Sequence, residues 1–296
     1  MYTTIEWLRN GGIKMRTLVI GGTRFFGKHL VYQLLEAGHD VTIITRGQTA
    51  QPFGDDVQHI VVDRTDDVAL RRVIEQGRFE LIYDNICYDA KQAKALCDIV
   101  NDYPAHVVFT STMAVYEADG ICHSEPDFDS THYDYDLTAQ PPYGEAKRQA
   151  EAVFKAHAKF PVAIARFPIV MGEDDYTERL QFYVTHIQQQ QPFAMAHLEA
   201  EMSFILAEEA ASFLQWLATQ TGAWNATANG TISMGALLQL IESVTGERAI
   251  VTTEGDSPYN IPKSWYMSND KATAAGFSFS SLDDWLHPLI AHLATY

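Results

Sequence analysis

Thr17-Leu18-Val19-Ile20-Gly21-Gly22-Thr23-Arg24-Phe25-Phe26-Gly27-Lys28 decides how the rest of the chain is read. A β-branched, apolar run from Thr17 ends in glycine. It gives way at once to helical spacing over Phe26–Ala37, which stops at Gly38, a residue suited to closing a helix. Glycines between a strand and a helix let the backbone turn tightly, so that a pyrophosphate can approach the helix N-terminus. Gly21, Gly22, Thr23, Arg24, Phe25, Phe26 and Gly27 are therefore candidates to contact a dinucleotide, with Gly27 letting the helix pack close to the strand. The bland alternative is an ordinary strand-to-helix turn. A second alternative is an NTPase phosphate loop, because Gly22 and Gly27-Lys28 have nearly that spacing. It fails at His29, where a Ser or Thr is needed to hold magnesium.

Working outward, apolar strands alternate with amphipathic helices. Strands are expected at 41–45, 60–62, 80–83, 106–110 and 162–166, and helices at 68–76, 90–100 and 147–159. This rhythm predicts an α/β fold, a doubly wound parallel Rossmann sheet over residues 15–171. Beyond Gly172 the pattern changes, with helices expected near 178–190, 207–220 and 234–245. Residues 172–296 read as mostly a smaller substrate-binding lobe, with segments such as 203–220 returning to the sheet.

The second strand ends Ile44-Thr45-Arg46-Gly47. A carboxylate there would bind a ribose 2′-hydroxyl. Its absence, with Arg46 adjacent and Arg24 as a second cation, favours a 2′-phosphate, hence NADP, with NAD possible through Thr45. Asp63, after the third strand, is placed either to contact the adenine edge or to cap the next helix. Tyr143 and Lys147 lie one helical turn apart, behind Pro141-Pro142, which suit a helix start. An ammonium near a phenol stabilises the phenolate and lowers a pKa otherwise near ~10. The fifth strand ends Thr110-Ser111-Thr112, whose hydroxyls can hold a substrate oxygen beside the tyrosine.

Taken in order, the glycine turn, Thr112-x-x-Val115-Tyr116, Tyr143-x-x-x-Lys147 and Arg166-Phe-Pro-Ile-Val-Met-Gly172 resemble the extended or atypical short-chain dehydrogenase/reductases, the NAD-dependent epimerase/dehydratase family. The resemblance runs from Met15 to Tyr296 and takes in a closing helix over 280–293. It implies Tyr143 as acid/base, Lys147 on the nicotinamide ribose, Thr112 as the catalytic hydroxyl with Ser111 its neighbour, and Pro168 lining the nicotinamide. Arg24 stands where the family has its central glycine, and Met171 where a tyrosine is frequent. This form of the turn is similar to a subgroup labelled isoflavone-reductase-like or chloroplast stem-loop RNA-binding. The resemblance thus implies an oxidoreductase, epimerase or dehydratase acting at a carbinol or ketone carbon, of a sugar or sugar nucleotide among other candidates. RNA binding, or cofactor sensing without catalysis, is the alternative.

Composition narrows the partners. With 21 Lys and Arg against 38 Asp and Glu, the net charge is −17, which repels nucleic acid and anionic membranes. Residues 151–296 carry few cations for a diphosphate, so a nucleotide sugar is not favoured. Three cysteines without a CxxC pair, and no long apolar run, suggest a reduced, cytoplasmic protein that binds a small molecule, with a homodimer as one possible assembly. No metal site is expected. His123 and His132, in an acidic stretch, read as a solvated loop, and the aromatics of the C-terminal half as core. Residues 1–14 read either as a leader outside the native protein, with Met15 as its start, or as a short disordered arm.

Overall fold

The computed structural model describes residues 14–295, so the leader, Lys14 aside, lies outside the described residues. β1 (Arg16–Ile20) is buried along all but its first residue. Its side chains alternate between two apolar layers, with Leu18 and Ile20 on one face of the sheet and Val19 on the other. A strand buried on both faces belongs at the centre of a parallel sheet. After α1 (Phe25–Glu36) the chain adds β2 (Asp40–Thr45) and β3 (Gln58–Val61) on one side. It then crosses through α2 (Asp67–Gly77) to β4 (Leu81–Asp84), α3 (Ala90–Val100) and β5 (His106–Thr112) on the other.

β6 (Cys122–His123) is a short side strand, followed by α4 (Tyr143–His157) and β7 (Val162–Phe167). α4 starts four residues before the expected helix because Pro142 already initiates it. The lobe begins with β8 (Ile169–Met171) and continues through α5 (Arg179–Gln188), β9 (Phe193–Ala194), β10 (Glu201–Met202) and β11 (Phe204–Leu206). Then α6 (Ala207–Trp216) packs Phe213 and Leu214 into the layer that holds Leu30, Val31 and Leu34 of α1. β12 (Gly222–Asn225) follows and joins the sheet beside β7. The return therefore extends past 203–220, by one strand. β13 (Ile232–Ser233), α7 (Met234–Thr245), β14 (Val251–Thr252), β15 (Tyr266–Met267), α8 (Asp270–Ala274) and α9 (Leu282–Leu293) complete the chain.

Among the described residues the sheet has seven strands in the order β12-β7-β5-β4-β1-β2-β3, and every pairing is parallel. The winding reverses between β1 and β4, which opens a crevice at their C-terminal ends. A separate apolar core, including Tyr183, Leu237, Ile241, Trp285 and Ile290, holds α5, α7 and α9 together.

Where α4 meets β7 the interior is polar. Arg166 is 1% exposed and Glu151 fully buried, with Nη2 donating to Oε2 at 2.6 Å. Nη1 donates to the Tyr116 hydroxyl and the Glu125 carbonyl, and Nη2 also to the Phe128 carbonyl. His123 lies at this site and is not solvated, contrary to expectation. It is 6% exposed, stacks on Tyr116 at 4.8 Å, and lies in β6, which pairs with β15. Asp119 and Asp127, part of the acidity that suggested a solvated loop, flank the ring instead. His132 is exposed, as expected. Removing one partner of a buried ion pair strands the other, at about 3–5 kcal/mol. Glu151→Ala is expected to lower unfolding stability by that amount in urea titration; a loss below about 1 kcal/mol would refute a structural role for the pair.

Candidate active site

The crevice at the winding reversal is a cavity of about 710 Å³, closed on its far side by residues of the lobe such as Arg179 and Trp265. Gly21, Thr23, Arg24, Phe25, Phe26 and Gly27 all line it, whereas Gly22 packs behind the turn, against Val31 and Val19. At Gly27 a Cβ would sit 2.6 Å from the Gly21 carbonyl oxygen, so the first turn of α1 closes onto the loop only because a side chain is missing. Asn85, at the end of β4, ties the turn down: its Nδ2 donates to the Gly21 carbonyl and its Oδ1 accepts from the Thr110 hydroxyl. Arg24 points its guanidinium over the Tyr176 ring, 5.4 Å from the centroid, while Nε donates to Thr49.

Arg46 also lines the cavity and has no hydrogen bond or ion pair among the described residues. Thr45 is committed: its hydroxyl lies 2.7 Å from His59 Nε2 and accepts from the Gly47 amide. Asp63 does not cap the next helix. Its carboxylate accepts from the amide and hydroxyl of Thr65, it does not line the cavity, and the cap of α2 is Asp66. A short polar side chain folds back on its own backbone in this way whenever a turn offers a free N–H.

Lys147 is 2% exposed, and its Nζ donates to the carbonyls of Cys87 and Thr110 at 2.6 and 2.8 Å. Burial pushes its pKa down to about 8, against the opposing pull of nearby negative groups. Nζ lies 5.9 Å from the Tyr143 ring centroid. Half of Tyr143 is exposed, at 50%, yet burial around the phenol raises its pKa. A hydrogen bond with Thr112 and the charge of Arg179 pull it the other way. The ammonium thus anchors backbone carbonyls beside the Tyr143 ring, and the charge of Arg179 from the lobe also favours the phenolate.

Thr112 and Ser111 part company. The Ser111 hydroxyl, 3% exposed, donates to Glu151 at 2.5 Å, so it belongs to the buried polar cluster and Thr112 faces the tyrosine. Gly144, which the sequence reading passed over, seats α4: a Cβ there would lie 2.4 Å from the Ala114 carbonyl oxygen, in the turn that follows Thr112. Pro168 lines the cavity. Among the described residues no Asp or Glu lines it, in a chain that has 38. Nor is there a group of three or more His, Cys, Asp and Glu arranged to hold a metal, or a helix long and apolar enough to cross a membrane.

Comparison with solved structures gives the same architecture. UDP-glucose 4-epimerase of Thermus thermophilus, in complex with NAD, aligns over 94% of this chain and 98% of its own, with a TM-score of 0.74 and 16% identity. dTDP-glucose 4,6-dehydratase of Bacillus anthracis, also in complex with NAD, aligns over 94% and 96%, with a TM-score of 0.74 and 16% identity. At such identities the likeness is one of fold. In sequence, the chain is 26% identical over 125 residues to the chloroplast stem-loop binding protein of 41 kDa b of Arabidopsis thaliana; the match spans 38% of this chain and about a third (33%) of that protein. The model of the NAD dependent epimerase/dehydratase family matches residues 17–228, from β1 to just past β12. With most of its length so matched, and the glycine turn, Thr112, Tyr143 and Lys147 gathered around one crevice, the chain belongs to the NAD dependent epimerase/dehydratase family.

Proposed function

We propose that the protein is an NADP-dependent oxidoreductase or epimerase/dehydratase that works at a carbinol or ketone carbon. One observation carries this reading: a cavity free of carboxylates joins the glycine turn and Arg46 to Thr112, Tyr143 and Lys147. A bound nicotinamide dinucleotide supplies the acceptor or donor of hydride. Tyr143 takes or returns the proton of the substrate oxygen, and Thr112 orients that oxygen through its hydroxyl. Lys147 has three N–H donors, and the Cys87 and Thr110 carbonyls take two, which leaves one for a ribose hydroxyl. The net charge of −17 opposes the alternative, RNA binding, that the chloroplast relative's name suggests.

The residues fit a phosphorylated ribose better than a free one. Arg46 makes no hydrogen bond or ion pair among the described residues, though its charge is felt by Asp63, and Arg24 lines the same cavity, while the Thr45 hydroxyl is already engaged by His59 and Gly47. The two solved relatives described above hold NAD, so cofactor choice is a point on which this chain is read apart from them. One charge-assisted bond to phosphate is worth about 1.5–3 kcal/mol, so NADP is expected to bind roughly tenfold or more tighter than NAD. Calorimetric titration of both cofactors into wild type and Arg46→Ala checks this: the variant should lose NADP affinity selectively. Equal affinities in the wild type refute the assignment.

Tyr143→Phe is expected to keep cofactor affinity and to lose roughly 100-fold or more in turnover. The assay is a screen of both cofactors against sugar nucleotides, free sugars and small ketones. Normal turnover in the variant sinks the mechanism.

Lys147 also leaves a signature in stability. Its folded pKa, about 8, lies below that of an unfolded lysine, so between the two values the unfolded chain binds more protons and stability rises with pH. The burden of the buried charge is complete below pH ~8 and relieved on going toward pH ~10. In guanidinium titrations, wild type is expected to gain stability relative to Lys147→Met across that window. Parallel pH profiles would mean that the ammonium is not desolvated in solution.

A further inference from the structure

The cavity that binds the cofactor in the reading above has a second end, and its chemistry singles out a substrate class. Four cations line the cavity: Arg24, Arg46, Lys147 and Arg179. The first two flank the glycine turn and the end of β2, and Lys147 is held by two carbonyls with its remaining donor assigned above to the ribose. Arg179, the first residue of α5, comes from the lobe and has no hydrogen bond or ion pair among the described residues. Carboxylates close to it in sequence have other partners: Asp174 binds Lys28 and His29, and Asp175 accepts from the amide and hydroxyl of Thr177. Glu178, beside it, does not line the cavity.

Elsewhere in 172–296 no other cation is available. The remaining three are Arg248, Lys263 and Lys271. Arg248 pairs with Glu242, Lys271 binds the Ala223 carbonyl over the Trp224 ring, and neither these two nor Lys263 lines the cavity. The cavity lining also includes apolar side chains, among them Met113, Ile169, Pro258 and Trp265, beside the hydroxyls of Thr112, Tyr143 and Thr177.

We propose that Arg179 anchors a substrate bearing one terminal anionic group, a phosphomonoester or a carboxylate, and that this end of the cavity does not take a nucleoside diphosphate. A guanidinium matches one such group through two parallel hydrogen bonds. A diphosphate brings a second anionic centre, and no other Lys or Arg of 172–296 lines the cavity to meet it, so that charge would be left unpaired at a cost. Arg179 and Tyr143 line the same cavity, so the anion and the reacting hydroxyl can belong to one molecule.

The proposal rests on the cavity being the cofactor and substrate site, and the test separates the two ideas. Glycerol 3-phosphate, glycerate and UDP are titrated calorimetrically into wild type, Arg179→Ala and Arg179→Lys, with and without saturating NADP. Glycerol 3-phosphate or glycerate is expected to bind wild type, to weaken roughly tenfold or more in Arg179→Ala, and to be partly rescued in Arg179→Lys, with UDP binding no tighter than the better of the two. NADP affinity should be equal in all three proteins. The anchor is overturned if neither small anion binds wild type, if Arg179→Ala binds as well as wild type, or if UDP outbinds both. A wild type that ignores NADP overturns the cofactor reading alone, because the Arg179 comparison without cofactor still decides the anchor.

Discussion

A guanidinium taken out of water must have every N–H answered, and the region around Arg166 is organised by that demand. All five donors of Arg166 are met: two groups of bonds go to Glu151, and the rest to the Tyr116 hydroxyl and the carbonyls of Glu125 and Phe128. The acceptors come from α4 and from the segment between β5 and α4. Glu151 fixes α4 against β7, and Ser111 joins the same carboxylate from β5. Tyr116 passes the network on to Asn225 of β12, whose amide donates to Glu125. The segment carrying Tyr116, His123 and Phe128 is held in place by this one side chain, as is the helix that presents Tyr143 and Lys147. Replacing the pair by apolar groups could preserve stability; the polar version fixes which loop lies where.

Much of the sheet was legible because parallel strands buried on both faces are nearly continuous apolar runs, and Val41–Thr45 or His106–Thr110 has no competing interpretation. Helix starts were less legible. Phe25 enters α1 with φ +52, a left-handed conformation that no pattern of hydrophobicity announces. It is 6% exposed and packs against Phe26 and Tyr176, so burial offsets the backbone strain. β12 was missed because Gly222–Asn225 has too few residues to show periodicity, and its identity as a strand depends on β7 being there to pair with.

In the site, local spacing placed Tyr143 and Lys147 on one face of a helix, and geometry agrees. What spacing could not supply was direction. Ser111 and Thr112 are adjacent on a strand, so their side chains point to opposite faces, and the strand's register decides which meets Glu151 and which meets Tyr143. Asp63, just past a strand end, could be read as a ligand or a helix cap; in the fold Asp66 takes the cap and Asp63 accepts from Thr65 through one carboxylate oxygen. Arg179 carries no motif at all; its significance comes from the absence of acids around a cavity, which is a property of the folded surface. His123 failed for the converse reason. Its acidic neighbours suggested solvent, and in the fold these exposed carboxylates flank a ring that is itself buried.

The strand order also bears on how the protein is made. β12 covers β7, and α6 covers α1, although both come from the second half of the chain. On a ribosome, the nucleotide-binding half therefore emerges with one sheet edge bare and one helix without its neighbour, until residues past Asn225 have cleared the exit tunnel. An uncovered parallel edge invites pairing with other chains. A cut at residue 171 would leave that intermediate as a permanent state, so the lobe and the sheet have to be inherited, expressed and folded as one unit.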